Sequence, residues 1–282
     1  PDEPRLAQGD RQLGRDHAPI LPVGGATRAG DVGTTSSISA ALAVRPAPGR
    51  PPGADVEELS TRPDGYDEGP DGGVSDFDAT AYLPDDLLER IRSRAAAVDA
   101  ENRFPDEDLA ELRDAGYLAI LVPTVLGGAG LGLAEAAALQ QRLASAAPAT
   151  ALAINMHLVW TGVAKVMSDR GIDDLRFVQA GAAAGEVFAF GISEAGNDLV
   201  LWDSLTRVDR VDGGFAFTGT KIFTSLAPAW TRLGIFGKQT AGEGTEAGPR
   251  LVHGFIRRAT PETPVEGVAT LDDWDTLGMR AT

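Results

Sequence analysis

The sequence predicts an α+β chain: an all-α helical domain, then a β-sandwich or barrel domain, behind a disordered N-terminal lead. Three observations predict it. Apolar residues recur at helical spacing between positions 83 and 185. Short runs rich in Val, Phe, Thr and Ile, bounded by Gly, Asp and Pro, follow from position 186. Ahead of both lies a stretch with neither period. The limits are therefore 1–82, 83–185 and 186–282, and 282 residues suffice to bury a core in the ordered parts.

The lead holds its character throughout. Residues 1–80 carry ten of the eighteen prolines and twelve glycines, with Tyr66 and Phe77 as the only aromatics. Runs such as Arg45–Gly53 (RPAPGRPPG) and Arg62–Gly73 (RPDGYDEGPDGG) bury too little surface to offset the entropy of ordering them. The chain starts at Pro1, its first methionine is Met156, and it stops at Thr282 within a strand-like signal, so a fragment is expected.

Order begins near Leu83. Pro84 followed by Asp85 and Asp86 makes a helix start, since proline suits the first turn and acids favour the positive end of the helix dipole. Leu87, Leu88, Ile91, Ala95 and Val98 then share one face. Pro105 with Asp106, Glu107 and Asp108 starts a second helix that Gly116 ends. The glycine-rich segment 121–132 reads as a flexible connection, its glycines free to take backbone angles other residues resist. Helices follow over 133–146, 150–170 and 172–184; the middle one is apolar on most sides and should lie at the centre.

Strands are predicted over 187–193, 199–211, 214–218, 221–225, 231–238 and 251–257, with Asp212-Gly213-Gly214 as a hairpin turn.

Several function classes are excluded or unsupported. A formal charge of −16 with three lysines leaves no basic surface for nucleic acid. The absence of cysteine removes disulfides, Fe–S clusters and a thiol nucleophile, and suits a cytoplasmic location. His17, His157 and His253 stand far apart, without the spacing of a metal site. His157, on an apolar helix, reads as a core histidine with a backbone partner rather than a site residue. Ala151–Met167 contains Asn155, His157 and Lys165 and reads as a buried helix, not a membrane span. Trp160, Trp202, Trp230 and Trp274 read as packing residues.

What stands out chemically is Phe188–Asp198 (FAFGISEAGND) followed by Phe217–Ser225 (FTGTKIFTS). Together with VPTVLGGAGLG at 122–132 and DTLGMRAT at 275–282, these segments resemble, in order, the acyl-CoA dehydrogenase family. The resemblance covers residues 83–282 and implies that the family's C-terminal helical bundle lies beyond Thr282. It implies FAD as cofactor, with Phe190, Ile192 and Ser193 against the flavin, Phe223 stacking where the family has tryptophan, and Ser225 bonding the ring edge. The family's Thr-Glu-Pro-Gly-x-Gly-Ser-Asp is here Ser-Glu-Ala-Gly-Asn-Asp, two residues shorter, and Asn197 stands nearest the family's substrate-contacting serine.

The implied reaction is α,β-dehydrogenation of an acyl-CoA, with hydride passing to flavin N5. The implied base is a glutamate of the bundle, so no residue of this chain is catalytic and no metal is involved. The expected partners are the acyl-CoA substrate, an electron-transfer flavoprotein or oxygen as acceptor, and, for the complete protein, further copies of itself in a homotetramer. The expectation for the fragment alone is incomplete function. Two alternatives stand beside it: a flavin-dependent monooxygenase of the same fold, and an inactive truncated relative.

Overall fold

The structure, a computed structural model, describes residues 42–43, 77–199, 201–239, 249–271 and 275–276. The disorder expected over 1–82 thus falls almost wholly outside the described residues, as do His17, Trp274 and the terminal Leu277–Thr282.

The helices come first. α1 (Asp85–Ala100) follows Pro84 and buries Leu87, Leu88, Ile91 and Val98. α2 (Asp106–Asp114) follows Pro105, and the chain turns out of it at Gly116, whose φ of 76° a side chain would resist. α3 (Leu133–Ala146) is tied at its start by Glu135, whose carboxylate accepts from the Gly132 N–H at 2.5 Å. α4 (Pro148–Asp169) buries residues from Ala149 to Ala164 and packs on α3, on the later helix and on the sheet, as its apolar sequence predicts. α5 (Arg176–Ala183) begins four residues later than expected at 172. Gly171, at φ 75°, reverses the chain after α4, and the Ile172 N–H caps Met167, so a new helix cannot begin there.

The glycine segment is not the flexible connection expected. Gly130 N–H donates to the Val122 carbonyl and Leu131 N–H to Ile120, both at 2.8 Å, and Ala129 N–H donates to Ala119 at 3.1 Å. Gly128 lies so close to Val122 that a Cβ would collide with backbone. The glycines serve a tightly laced loop.

The strands β1 (Leu42–Ala43), β2 (Phe188–Gly191), β3 (Arg207–Val211), β4 (Gly214–Thr218), β5 (Arg232–Gln239) and β6 (Arg250–Arg257) form one mixed sheet. β6 runs antiparallel to β5 along its whole length, from Arg232 opposite Arg257 to Gln239 opposite Arg250, and β1 flanks β6. On its other edge β5 has two partners in succession. β2 runs parallel beside Arg232–Ile235, and β3 continues parallel at Lys238. β3 and β4 close on the predicted hairpin, Val211 opposite Gly214, with Gly213 at φ 80°.

Two predicted strands are shorter or absent. Of 199–211 only 207–211 pairs, because the backbone N–H groups of Leu205 and Thr206 turn to a carboxylate instead of a neighbouring strand. The 221–225 segment is irregular, with Phe223 at φ 54° and Leu226 at φ 68° breaking the extended run.

Helices and sheet share one core. Leu139, Leu143, Ile154 and Leu158 cluster with Val187, Ala189, Leu226 and Trp230. His157, fully buried, joins the layers: its Nε2–H donates to the Leu118 carbonyl at 2.8 Å, and its Nδ1 accepts from the Phe188 N–H at 3.1 Å. Acceptance at Nδ1 requires the neutral ring, and burial pushes its pKa down to about 4. Trp160 does the same by shape: its Nε1–H donates to Ala189 at 3.0 Å, and its ring lies where a Cβ on Gly234 would stand. No helix among the described residues is long and apolar enough to cross a membrane.

Candidate functional site

The two motif segments meet. The Ile222 N–H donates to the Ser193 carbonyl at 2.9 Å, joining the turn after β2 to the irregular segment after β4. One residue along each segment, Lys221 Nζ reaches the Glu194 carboxylate at 2.7 Å and the Ile192 carbonyl at 3.3 Å. Residues 29 apart in sequence are thereby held as one surface.

Glu194 is the hub. Its carboxylate is buried (5% exposed) and accepts from the Ser204 hydroxyl at 2.9 Å, the Leu205 N–H at 2.7 Å, and the Thr206 N–H at 2.8 Å. The Thr206 hydroxyl at 2.6 Å, the Asn197 amide at 2.9 Å and Lys221 complete the set. Burial pushes the Glu194 carboxyl up, but Lys221, Thr206, the Leu205 N–H and Asn197 outweigh it and hold the group well below the usual carboxylate range. Burial draws the Lys221 ammonium down, and Glu194 opposes it. The Lys221 ammonium also lies 5.7 Å from the Phe236 ring centroid, beside which His253 stacks at 4.5 Å.

The sequence-predicted residues fall around this hub. Ile192 is buried, and Phe190 is half-buried with its ring 5.3 Å from Trp160. Ser193 is half-buried between buried Ile192 and Glu194, and among the described residues no hydrogen bond is made by its hydroxyl. Phe223 is 49% exposed, and Ser225 is buried, its N–H bonded to the Phe223 carbonyl at 2.9 Å. The Ser225 hydroxyl likewise makes no hydrogen bond among the described residues.

Asn197 is different. Its amide N–H groups go to Glu194 and to the Asp203 carbonyl at 3.0 Å, and its oxygen accepts from Leu199 N–H at 3.0 Å. Both ends of the side chain build the turn. Trp202 corrects the packing reading: it is 84% exposed, at the tip of the 199–205 loop beside Leu199, Leu201 and Leu205.

These groups fit a flavin in kind. An isoalloxazine asks for an apolar face and for donors at its edge. Phe223 offers a half-exposed ring, and Ser193 and Ser225 offer hydroxyls that bond no partner among the described residues. The reading of the sequence missed Glu194, Lys221, Ser204 and Thr206 as a unit. The signal for the first two was present: Glu194 directly follows Ser193 in the first motif, and Lys221, the one charge of the second, stands two residues before Phe223.

Residues 86–170 match the model of the acyl-CoA dehydrogenase N-terminal domain. YdbM of Bacillus subtilis (strain 168), provisionally named an acyl-CoA dehydrogenase, is 30% identical over 202 residues, covering 70% of this chain and 49% of its own. Mitochondrial isovaleryl-CoA dehydrogenase of Oryza sativa subsp. japonica is 27% identical over 196 residues, covering 68% of this chain and 46% of its own. Dibenzothiophene monooxygenase of Rhodococcus qingshengii is 26% identical over 196 residues, with 70% and 45% covered. Among solved structures, KijD3 in complex with FMN and dTDP-3-amino-2,3,6-trideoxy-4-keto-3-methyl-D-glucose is similar at a TM-score of 0.58 and 32% identity, over 70% of this chain and 46% of that one. A nitrososynthase from Micromonospora carbonacea var. africana is similar at 0.60 and 27% identity, over 72% and 50%. The chain spans about half the length of the curated relatives it matches.

Proposed function

We propose, from the premise that this chain belongs to the acyl-CoA dehydrogenase family, that it carries the flavin site of a flavin-dependent oxidoreductase. The reaction is the α,β-dehydrogenation of an acyl-CoA, with FAD as the flavin. The single observation that supports the site is the 2.9 Å bond from Ile222 N–H to Ser193 carbonyl, which aligns the two motif segments. Phe190, Ile192, Ser193, Phe223 and Ser225 would hold the ring. Residues 83–185 and 186–282 would act as two domains with the cleft between them. When bound, the flavin supplies the hydride acceptor. This chain's residues orient it and exclude water from one face.

The partners of this reading are an acyl-CoA, an electron-transfer flavoprotein and copies of the chain in a tetramer, in the cytoplasm. Its test is anaerobic mixing of the flavin-loaded protein, carrying the family's C-terminal bundle that the resemblance makes the source of the base, with short, medium and branched acyl-CoA thioesters. Bleaching of the flavin absorption is expected. Replacing Phe223 with Ala should weaken flavin binding by about 2–4 kcal/mol, as the loss of a packed aromatic does. Unchanged affinity would put another residue at the ring.

One observation favours a second reading, a flavin-dependent monooxygenase. Asn197 stands nearest the expected acyl-CoA contact, yet both ends of its side chain are engaged within the turn. Similarity to a dibenzothiophene monooxygenase and to KijD3 solved with FMN supports the same direction. No bleaching by any acyl-CoA, with oxygen consumed by the reduced protein in the presence of an organic substrate, would select it.

A further inference from the structure

We propose that Glu194 and Lys221 are positioning residues of the flavin site: their ion pair fixes the backbone from which Ser193 and Phe223 meet the ring. The inference rests on the flavin reading above. It adds two residues that touch no cofactor and act through their neighbours.

The geometry is specific to this role. Ser193 precedes Glu194 directly, and Phe223 follows Lys221 by two residues. The carboxylate collects donors from three places: Asn197 in the turn, Ser204, Leu205 and Thr206 where the chain returns to the sheet, and Lys221 from the second motif. Lys221 is the one cation among them, with its side chain 8% exposed. Its ammonium also bonds the Ile192 carbonyl, so it holds the residue before Ser193 as well as the one after. Gly219 lies against Thr206 so closely that a Cβ would collide with that residue, which brings the second motif onto the hub. Phe223 sits at φ 54°, a conformation an L side chain keeps only when its surroundings impose it. The Ile222 N–H bond before it and the Ser225 N–H bond after it are the local restraints, and Lys221 anchors that segment.

Neutralising one partner leaves the other as a buried charge without a counterion. The predicted consequence is a change in local shape at Ser193 and Phe223 beyond any general loss of stability. Flavin affinity is measured for the full chain by quenching of FMN and FAD fluorescence, alongside urea unfolding. E194Q and K221M should each weaken flavin binding tenfold or more, and the double variant should be little worse than either single one, as coupled residues require. K221R, which keeps the charge, should recover most of the affinity. D108N, which weakens a buried carboxylate's contacts among the helices, should lower stability while leaving flavin affinity within twofold.

The outcomes separate cleanly. Flavin binding by the wild type, with E194Q binding equally well or losing affinity only in step with D108N, overturns this inference and spares the flavin reading. No binding of either flavin by the wild type overturns both.

Discussion

Asp108 and Glu194 are both buried carboxylates that pair with a cation and accept from a threonine hydroxyl, yet they hold different kinds of structure. Asp108 accepts from Arg94 Nε and from the Thr150 hydroxyl, both at 2.7 Å, and so ties α1, α2 and α4. Those elements are regular, and their backbone groups are already satisfied within each helix. Arg94 has Glu111 as a second partner at 2.8 Å. Glu194 instead receives two backbone N–H groups that no strand accepts, and its cation has no second carboxylate among the described residues. The lesson is one of division of labour. A carboxylate between helices adds stability to shapes that exist without it, whereas a carboxylate inside irregular backbone defines the shape.

The comparison can be broken most forcefully at Glu194. Its replacement by Ala should cost about 3–5 kcal/mol in urea unfolding, because Lys221 is left buried and unpaired. A cost below about 1 kcal/mol would mean that water replaces the carboxylate and that the hub is not decisive.

Acid titration sharpens the contrast next. His157 has its folded pKa depressed to about 4, below the unfolded value of about 6.5. The unfolded chain therefore binds the extra proton first as pH falls from about 6.5 to about 4, and stability should drop by up to roughly 1.4 kcal/mol per pH unit in that window. Half-buried His253, also lowered to about 4 by burial and then by Lys221, adds to the same slope. Glu194, with its folded pKa also depressed, contributes stability that is present above its unfolded value of about 4.3 and lost below it. Unfolding measured across pH should thus show a histidine loss first and a carboxylate loss after. Glu194→Gln should reduce only the second, and His157→Phe should remove about half of the first.

Asp108→Ala should cost less, about 1–3 kcal/mol, because Arg94 keeps Glu111. Its effect on flavin affinity should be nil. The smallest effect belongs to Trp202, 84% exposed; Trp202→Ala should shift stability by no more than about 0.5 kcal/mol. A larger loss would show that the loop tip packs against something in solution.

The helices were legible in the sequence because their signals are local. Pro84, Pro105 and Gly116 punctuate them, and the apolar spacing of Leu87, Leu88 and Ile91 sets the buried face without reference to any other element. The order of helices and then sheet was readable for the same reason, as was the Asp212-Gly213 hairpin. The 199–206 and 221–225 segments were not. Their Val, Leu, Ile and Phe content suits a strand, but Glu194 takes the backbone N–H groups of Leu205 and Thr206, and Phe223 at φ 54° turns the second segment out of the extended range. The candidate site was legible as two motifs and not as one hub. The structural role of Asn197 was hidden for a related reason: its bonds to Glu194, Leu199 and Asp203 follow from how the turn closes. Trp202 was assigned to the interior by its residue type, and the exposed loop tip overrules type.

The succession of β2 and β3 along one edge of β5 has a consequence for how this region tolerates change in length. Each strand takes its register from β5 and neither takes it from the other, so residues can be added or removed between Gly191 and Arg207 without sliding the sheet. Closing a slightly longer or shorter loop changes the entropy by only a few tenths of a kcal/mol. The edge works as a splice point. A turn two residues shorter than the pattern this chain resembles can sit there while Glu194 and Thr206 still meet at 2.6 Å.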